Sequence, residues 1–322
     1  MPIAGSAAKG FSLVELLLAM LVGSLAIWSI YTAFQAQHRN YLAQDQVVRM
    51  QQNLRAAMDI MSREIRMAGF DDTERTSQLP TPASVLLAAP YQIVVSMDLN
   101  LNGRVVDPSP PTPDTPNTEP GEVVSFRFPL GVDAKSDGIA DPKVGGAGNL
   151  GRDTGGDFDT GVFNHGSGHQ PIAENIHAIG FAYAFDADSL PGLDFVDANH
   201  NGVEDPGEVI WAVDPEGDGA GNWFALDTNN DGLIDENDLA AELPEAGESA
   251  AIAGFDTGIP VRTKDVRAVR IWVLARAANP APEFNNNQTY VVGRQVIHTG
   301  DNYRRRLAEV VINCRNMKKT LN

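Results

Sequence analysis

The sequence predicts an α+β chain: one long N-terminal helix packed on an antiparallel β-sheet head, with acidic loops inserted between the strands. Three observations carry this. From Leu16 to Phe34 there are 19 residues without a charge. No Pro or Gly interrupts the stretch from Ser24 to Ala68. Beyond residue 90, short segments of strand character follow one another with no long helical pattern between them.

The uncharged run is long enough to cross a ~30 Å hydrocarbon core as a helix rising 1.5 Å per residue. Glu15 stands just inside it. A carboxylate at the edge of a bilayer is costly unless it reaches water or a partner, so it marks function. A cleaved secretory signal needs a small-residue site after the apolar core, and none clearly ends this run. A plain single-pass anchor leaves Gly10, Phe11 and Glu15 without a reason, and a buried helix of a soluble domain is rarely this long.

Leu54, Met58, Met61 and Ile65 recur at helical spacing, with Val47 and Met50 in phase before them. Arg49, Arg55, Asp59, Arg63 and Arg66 take the other faces, and Gly69 is a natural stop. The helix is expected over Phe11–Ala68, roughly 85 Å. Its first half, 11–34, suits a membrane, and its second half lays an apolar stripe on the head.

The head, 70–322, opens with a polar connector from Asp71 to Pro90. Strands are expected at Tyr91–Met97, Glu122–Pro129, Ile176–Phe185, Val266–Ala275, Thr289–Ile297 and Arg304–Ile312. Asp107 to Pro120 is Pro/Thr-rich, and Asp133 to Gly168 is Gly/Asp-rich without periodicity. Both read as long loops.

The net charge of −18 is unevenly spread. Asp98 to Asp265 holds 32 acidic against 7 basic residues, a net of −25, whereas Val266 to Asn322 holds 10 basic against 3 acidic, a net of +7. The acidic middle argues against nucleic acid as a partner and suits divalent cations. The basic end is expected to face that acidic middle. The single cysteine, Cys314, allows no intramolecular disulfide and reads as a buried thiol in a strand.

Two loops in the acidic middle carry a metal-binding pattern. In the first, Asp197, Asn199 and Asn201 stand at positions one, three and five, Gly202 at six, the Val203 carbonyl at seven, Asp205 at nine and Glu208 at twelve. In the second, the same places are taken by Asp227, Asn229, Asp231, Gly232, Leu233, Asp235 and Asp238. Alternate oxygens converge on one hard cation and the Gly turns the chain, which is the twelve-residue Ca2+ loop. Asp238, shorter than Glu, leaves room for water. The competing reading is an acidic turn, since Asp-x-Asn-x-Asn-Gly is also good turn chemistry. No flanking helices are apparent, so these are isolated loops.

Three partial versions read as turns. Asp98-Asn100-Asn102-Gly103 and Asp214-Glu216-Asp218-Gly219 lack a suitable twelfth residue, and Asp133 with Asp137, Gly138 and Asp141 has Lys135 at position three. His165 and His169 lie among glycines and read as surface loop. There is no Gly-Lys-Ser/Thr phosphate loop, no Gly-x-Ser-x-Gly elbow and no plausible cysteine nucleophile, so nothing argues for an enzyme.

Lys9-Gly10-Phe11-Ser12-Leu13-Val14-Glu15-Leu16 and the apolar run behind it closely resemble the N-terminus of type IV prepilins and type II secretion pseudopilins. The resemblance implies a leader, 1–10, cut after Gly10 by a prepilin peptidase, N-methylation of Phe11, and a filament in which Glu15 pairs with the Phe11 amine of a neighbour. Ser62-Arg63-Glu64-Ile65-Arg66-Met67-Ala68-Gly69-Phe70 and the Arg-rich last strand ending Cys314-Arg315-Asn316 resemble PilW-type minor pilins, with the minor pseudopilin GspJ a near relative. No Pro loosens the apolar half, unlike in major pilins. The resemblance implies a structural subunit that takes part in priming, assembly or tip formation of a type IV pilus. Its partners would be other minor and major pilins, the inner-membrane assembly machinery and the membrane. It would sit in the inner membrane before assembly, then on the pilus at the cell surface. The rival readings are a pseudopilin of a type II secretion system and an adhesin-like binding subunit.

Overall fold

A computed structural model describes residues 12–71, 83–105, 121–154, 157–159, 162–164, 169–186, 192–195, 197, 200–202, 204–205, 207–214, 223–229, 231–238, 262–282 and 284–317. The chain divides into two compact units, residues 1–48 and 49–322.

The first unit is helical. Helix α1, Leu13–Met67, begins here, close to the expected start. Leu17, Leu21, Trp28, Ile30 and Phe34 are all exposed. The helix is long and apolar enough to cross a membrane, and the span that would do so is 0% buried.

The second unit begins with the last turns of α1, where Met50, Leu54, Ala57, Met61 and Ile65 are buried. Ala57 replaces the expected Met58 on the innermost stripe, because a close approach favours the small side chain; Met58 and Val47 are half-buried. Gly69 ends the helix at φ +78, and its N–H donates to the Ser96 carbonyl at 3.0 Å. A β-carbon there would lie 2.9 Å from Met317 Sδ, so the stop is fixed by packing as well as by conformation.

The strands are β1 (Val85–Ala88), β2 (Ile93–Ser96), β3 (Val123–Arg127), β4 (Gly148–Asp153), β5 (Asp157–Asp159), β6 (Val162–Asn164), β7 (Gln170–Phe185), β8 (Ala212–Val213), β9 (Phe224–Ala225), β10 (Val266–Arg276), β11 (Thr289–Val292), β12 (Gln295–His298) and β13 (Arg305–Asn313). The main sheet runs β1-β2-β3-β4-β7-β10-β13, every pairing antiparallel. Spatial order follows chain order, so the head is a meander with three excursions. Hairpin β5–β6 leaves between β4 and β7, the pair β8–β9 between β7 and β10, and hairpin β11–β12 between β10 and β13.

The long central strands β7 and β10 make the core. Ile176, Ile179, Phe181, Tyr183 and Phe185 are buried along β7, as are Val269, Ile271, Val273 and Leu274 along β10. Trp223 meets Phe185 edge-on at 4.6 Å between ring centres, and the Tyr183 hydroxyl donates to the Ala89 carbonyl at 2.9 Å. Polar ties hold α1 to the sheet: Arg152 Nε donates to both Glu64 oxygens at 2.6 and 2.9 Å, and Asn53 Nδ2 donates to the Glu174 carbonyl at 3.0 Å.

Several expectations are corrected. The connector before Pro90 contains β1, whose buried Val-Leu-Leu-Ala run is too short to show a period. The stretch 133–168 contains β4, β5 and β6; glycines in β4 hide the alternation. Thr289–Ile297 is two strands, because Gly293 at φ +59 turns the chain back. This hairpin lies on Gly180 of β7, where a β-carbon would stand 2.8 Å from the Gly293 nitrogen. The basic end mostly pairs within itself. Among the described residues, Arg270 meets Glu309 at 2.6 Å because β10 and β13 are neighbours, and Arg305 meets Asp301, four residues before it, also at 2.6 Å; Arg267 reaches Asp186 of the acidic middle at 3.9 Å. The expected loop 107–120 lies outside the described residues.

Candidate functional site: the N-terminal segment and the acidic loops

At the start of α1, the Ser12 N–H donates to Glu15 Oε2 at 2.9 Å and the Glu15 N–H donates to Ser12 Oγ at 3.2 Å. This reciprocal pair is a capping box that satisfies two of the free amides at the helix start. Within one chain, then, Glu15 caps its own helix. Gly10 and Phe11, the expected processing residues, lie outside the described residues.

The two acidic loops flank the excursion β8–β9. The first ends just before β8 and the second starts just after β9, so their antiparallel pairing brings the loops side by side. The Leu226 N–H donates to the Trp211 carbonyl at 2.8 Å, extending that register toward the loops. A bridge between Phe195 and Val209 closes the base of the first loop. Ile234, at position eight of the second, packs on the core cluster of Ala182, Val213 and Leu226.

Both loops turn in the same way. Asp197 Oδ1 accepts the Asn201 N–H at 2.9 Å and Oδ2 accepts the Gly202 N–H at 2.8 Å. Asp227 Oδ1 accepts the Asp231 N–H at 3.2 Å and Oδ2 accepts the Gly232 N–H at 2.8 Å. Position twelve closes each loop: Glu208 Oε2 accepts the Asp205 N–H at 3.1 Å, and Asp238 Oδ2 accepts the Asp235 N–H at 2.9 Å. Asp238 Oδ1 also accepts the Thr228 N–H at 2.9 Å, and the whole residue is buried. Asn201 Nδ2 donates to Asp205 Oδ2 and Asn229 Nδ2 to Asp231 Oδ2, at 2.8 and 3.0 Å. Leu233 is exposed. Asn199 and Val203 lie outside the described residues. Among the described residues, no three His, Cys, Asp or Glu side chains gather as a metal-holding group.

Two of the partial loops take the same turn. Asp98 Oδ2 accepts the Gly103 N–H and Asp133 Oδ2 accepts the Gly138 N–H, both at 2.8 Å. Position four is left-handed at Leu101, Ser136 and His200 (φ 61, 54 and 59), and the glycine at six lies between φ +72 and +84 in all four loops. In the Asp133 loop, Asp141 Oδ2 accepts the Ala134 N–H at 2.8 Å, and Lys135 stands where a third oxygen would be needed. Burial raises the Asp133 pKa from its ordinary value, against the Gly138 and Asp137 N–H groups that lower it. The Asp98 loop does have a residue in the closing role. Glu122 Oε1 accepts the Leu99 and Asn100 N–H groups at 3.0 and 2.9 Å, as Asp238 Oδ1 does at Thr228 and Asn229. Sequence spacing misses Glu122 because it follows a separate stretch and arrives through strand pairing. Asp214 is buried, and the rest of its partial loop lies outside the described residues, as does His165. The His169 ring fills the space above Gly151 of β4. Cys314 is buried, which pushes its thiol up to about 12.

A helix that is apolar and exposed in its first half, and buried on an antiparallel meander in its second, defines a pilin-like subunit. The sequence matches three family descriptions in chain order: Prokaryotic N-terminal methylation motif at 5–31, Prepilin peptidase-dependent protein B at 43–132, and Type IV Pilus-assembly protein W at 220–316. No curated protein and no solved structure matches the chain. The first match covers most of the apolar run, the second α1 from residue 43 onward with β1–β3, and the third the second acidic loop with β9–β13. The chain belongs to the type IV pilin and pseudopilin family, with a structural role of the minor-pilin or pseudopilin kind.

Proposed function

We propose that this chain is a minor pilin of the PilW type that helps prime, assemble or tip a type IV pilus. The observation that carries the reading is the order of the three matches, with the W-type match over the C-terminal strands. A prepilin peptidase would cut after Gly10 and the new Phe11 amine would be methylated. The single apolar helix would hold the chain in the inner membrane until assembly, when Glu15 exchanges its capping contact for the Phe11 amine of a neighbouring subunit. Its partners would be other minor and major pilins and the inner-membrane machinery.

We further propose that Ca2+ stabilises the head through the loops 197–208 and 227–238. What supports this is the donor set: all-oxygen side chains at the ligand positions of both, with carboxylates at one, nine and twelve. Asp197, Asn199, Asn201, the Val203 carbonyl, Asp205 and Glu208 would hold one ion. Asp227, Asn229, Asp231, the Leu233 carbonyl, Asp235 and Asp238 would hold the other. A cation bound only by the folded chain stabilises it by RT ln(1 + [L]/Kd), about 2.7 kcal/mol at a hundredfold excess over Kd.

Co-purification from native membranes with mass spectrometry tests the assembly role. Pilus subunits among the partners, and an N-terminal peptide starting at methylated Phe11, are expected; secretion-system subunits in their place would assign the chain to the pseudopilins. Thermal unfolding of the detergent-solubilised chain with calcium and with chelator tests the second proposal. Asp197→Ala and Asp227→Ala should each remove part of the calcium-dependent shift.

A further inference from the structure

We infer that Asp98 and Glu122 are the charged ligands of a third divalent-cation site, set at the base of the β2–β3 connection and open to a hard, oxygen-seeking ion such as calcium. It stands on a different loop from the two above and holds whether or not they bind.

The position follows from strand register. Ser96 at the end of β2 pairs with Val123 at the start of β3. The Met97 N–H continues that ladder to the Glu122 carbonyl at 2.9 Å. Asp98 and Glu122 are thereby neighbours just beyond the paired strands. Both are carboxylates and both are buried, Asp98 with 0% and Glu122 with 2% of its surface exposed.

The observation that points to a ligand is the state of Asp98. Its Oδ2 reaches across the loop to the Gly103 N–H, while Oδ1 of the same group is buried and accepts no hydrogen bond among the described residues. A buried carboxylate oxygen without a donor is a costly arrangement, and a second buried carboxylate beside it adds repulsion. A bound cation relieves both.

The surroundings favour the cation. Asn100 and Asn102 contribute carboxamide oxygens that already face into the turn, accepting the Asn102 and Arg104 N–H groups at 2.9 and 2.8 Å. With the two carboxylates they make an all-oxygen set of the kind that takes calcium.

Equilibrium binding of calcium to the purified full chain in detergent decides the matter. In the variant carrying Asp197→Ala and Asp227→Ala, one calcium per chain is expected to remain. Adding Asp98→Asn, or separately Glu122→Gln, should abolish it and remove the residual calcium-dependent rise in Tm. Should Asp98→Asn fail to fold, Glu122→Gln, which preserves shape and the amide contacts, carries the test alone. The inference is overturned if the double variant binds no calcium, or if its calcium survives either added substitution. A parent chain binding one calcium that the double variant retains would sink the two-loop proposal and leave this site standing.

Discussion

Gly207 and Gly232 lie back to back where the two acidic loops meet. A β-carbon on Gly232 would stand 3.1 Å from the Gly207 Cα, and one on Gly207 would stand 3.2 Å from the Gly232 Cα. Both have positive φ, +96 and +84. Gly207→Ala therefore forces the loops apart and strains the backbone. Chemical denaturation is expected to show a loss of about 1–3 kcal/mol. If the loops bind calcium, the same substitution weakens the second loop as well as the first, although it lies in only one of them. Unchanged stability would show that the loops tolerate separation.

The capping box at Ser12 and Glu15 separates two roles of one carboxylate. Glutamine serves at this position of a capping box but carries no charge. Glu15→Gln is expected to preserve the helix start while impairing incorporation into filaments. Glu15→Ala loses the carboxylate's half of the box, worth about 0.3–1 kcal/mol, along with the proposed pairing, while the Glu15 N–H keeps its bond to Ser12 Oγ. Counting subunits in sheared filaments against membrane-inserted chain measures this. Equal incorporation of the Gln variant and the parent would remove the proposed pairing with the Phe11 amine of a neighbour.

How far this was legible in the sequence differs by element. The helix was, because an uncharged run and a repeat ending in Ile65 and Gly69 are local signals. Strands β7, β10 and β13 were, because each is a long run rich in β-branched and aliphatic or aromatic residues. Strand β1, four residues long, was not, nor was β4 with its glycines at 148 and 151. Their places are set by neighbours on the sheet, which a one-dimensional pattern does not contain. Gly293 was readable as a turn, yet the apolar residues around it outweighed it. Among the acidic loops, side-chain types at fixed offsets were visible. The partnership of Asp98 with Glu122 was not, since it arises only when β2 pairs with β3.

His177 gives the head a pH dependence. Arg305 Nε donates to its Nδ1 at 2.8 Å, so that nitrogen must keep its lone pair. Burial, with Arg305 and Arg276 nearby and Asp301 opposing, lowers its pKa to about 4. The unfolded chain takes up a proton near pH 6.5, whereas the folded head does so only near 4. The His177 contribution to stability is thus constant above that window and falls as pH drops through it, by on the order of 3 kcal/mol. His177→Asn accepts the same hydrogen bond without titrating. Denaturation between pH 4 and 7 should show a shallower slope for the variant than for the parent; identical slopes would remove His177 as the cause.

The Glu64–Arg152 pair joins α1 to β4, and its two halves are not equivalent. Arg152 donates to both carboxylate oxygens, and the side chains are only 24% and 21% exposed. Burial raises the Glu64 pKa, with Arg152 pulling the other way. A raised folded pKa means that the ionised form weakens the fold as pH rises through it, so the arginine offsets a cost set by desolvation. Arg152→Ala leaves that carboxylate buried without its cation and should cost about 3 kcal/mol at neutral pH. The loss should shrink as pH falls, because Glu64 then takes up a proton. Glu64→Gln takes the counter-charge from the equally buried Arg152 but keeps an oxygen for it to donate to, so it should cost less, about 1–2 kcal/mol. Urea denaturation of both single variants and the double variant, at neutral and acidic pH, measures the asymmetry. Equal costs for the two single variants, independent of pH, would mean that the pair acts through shape alone.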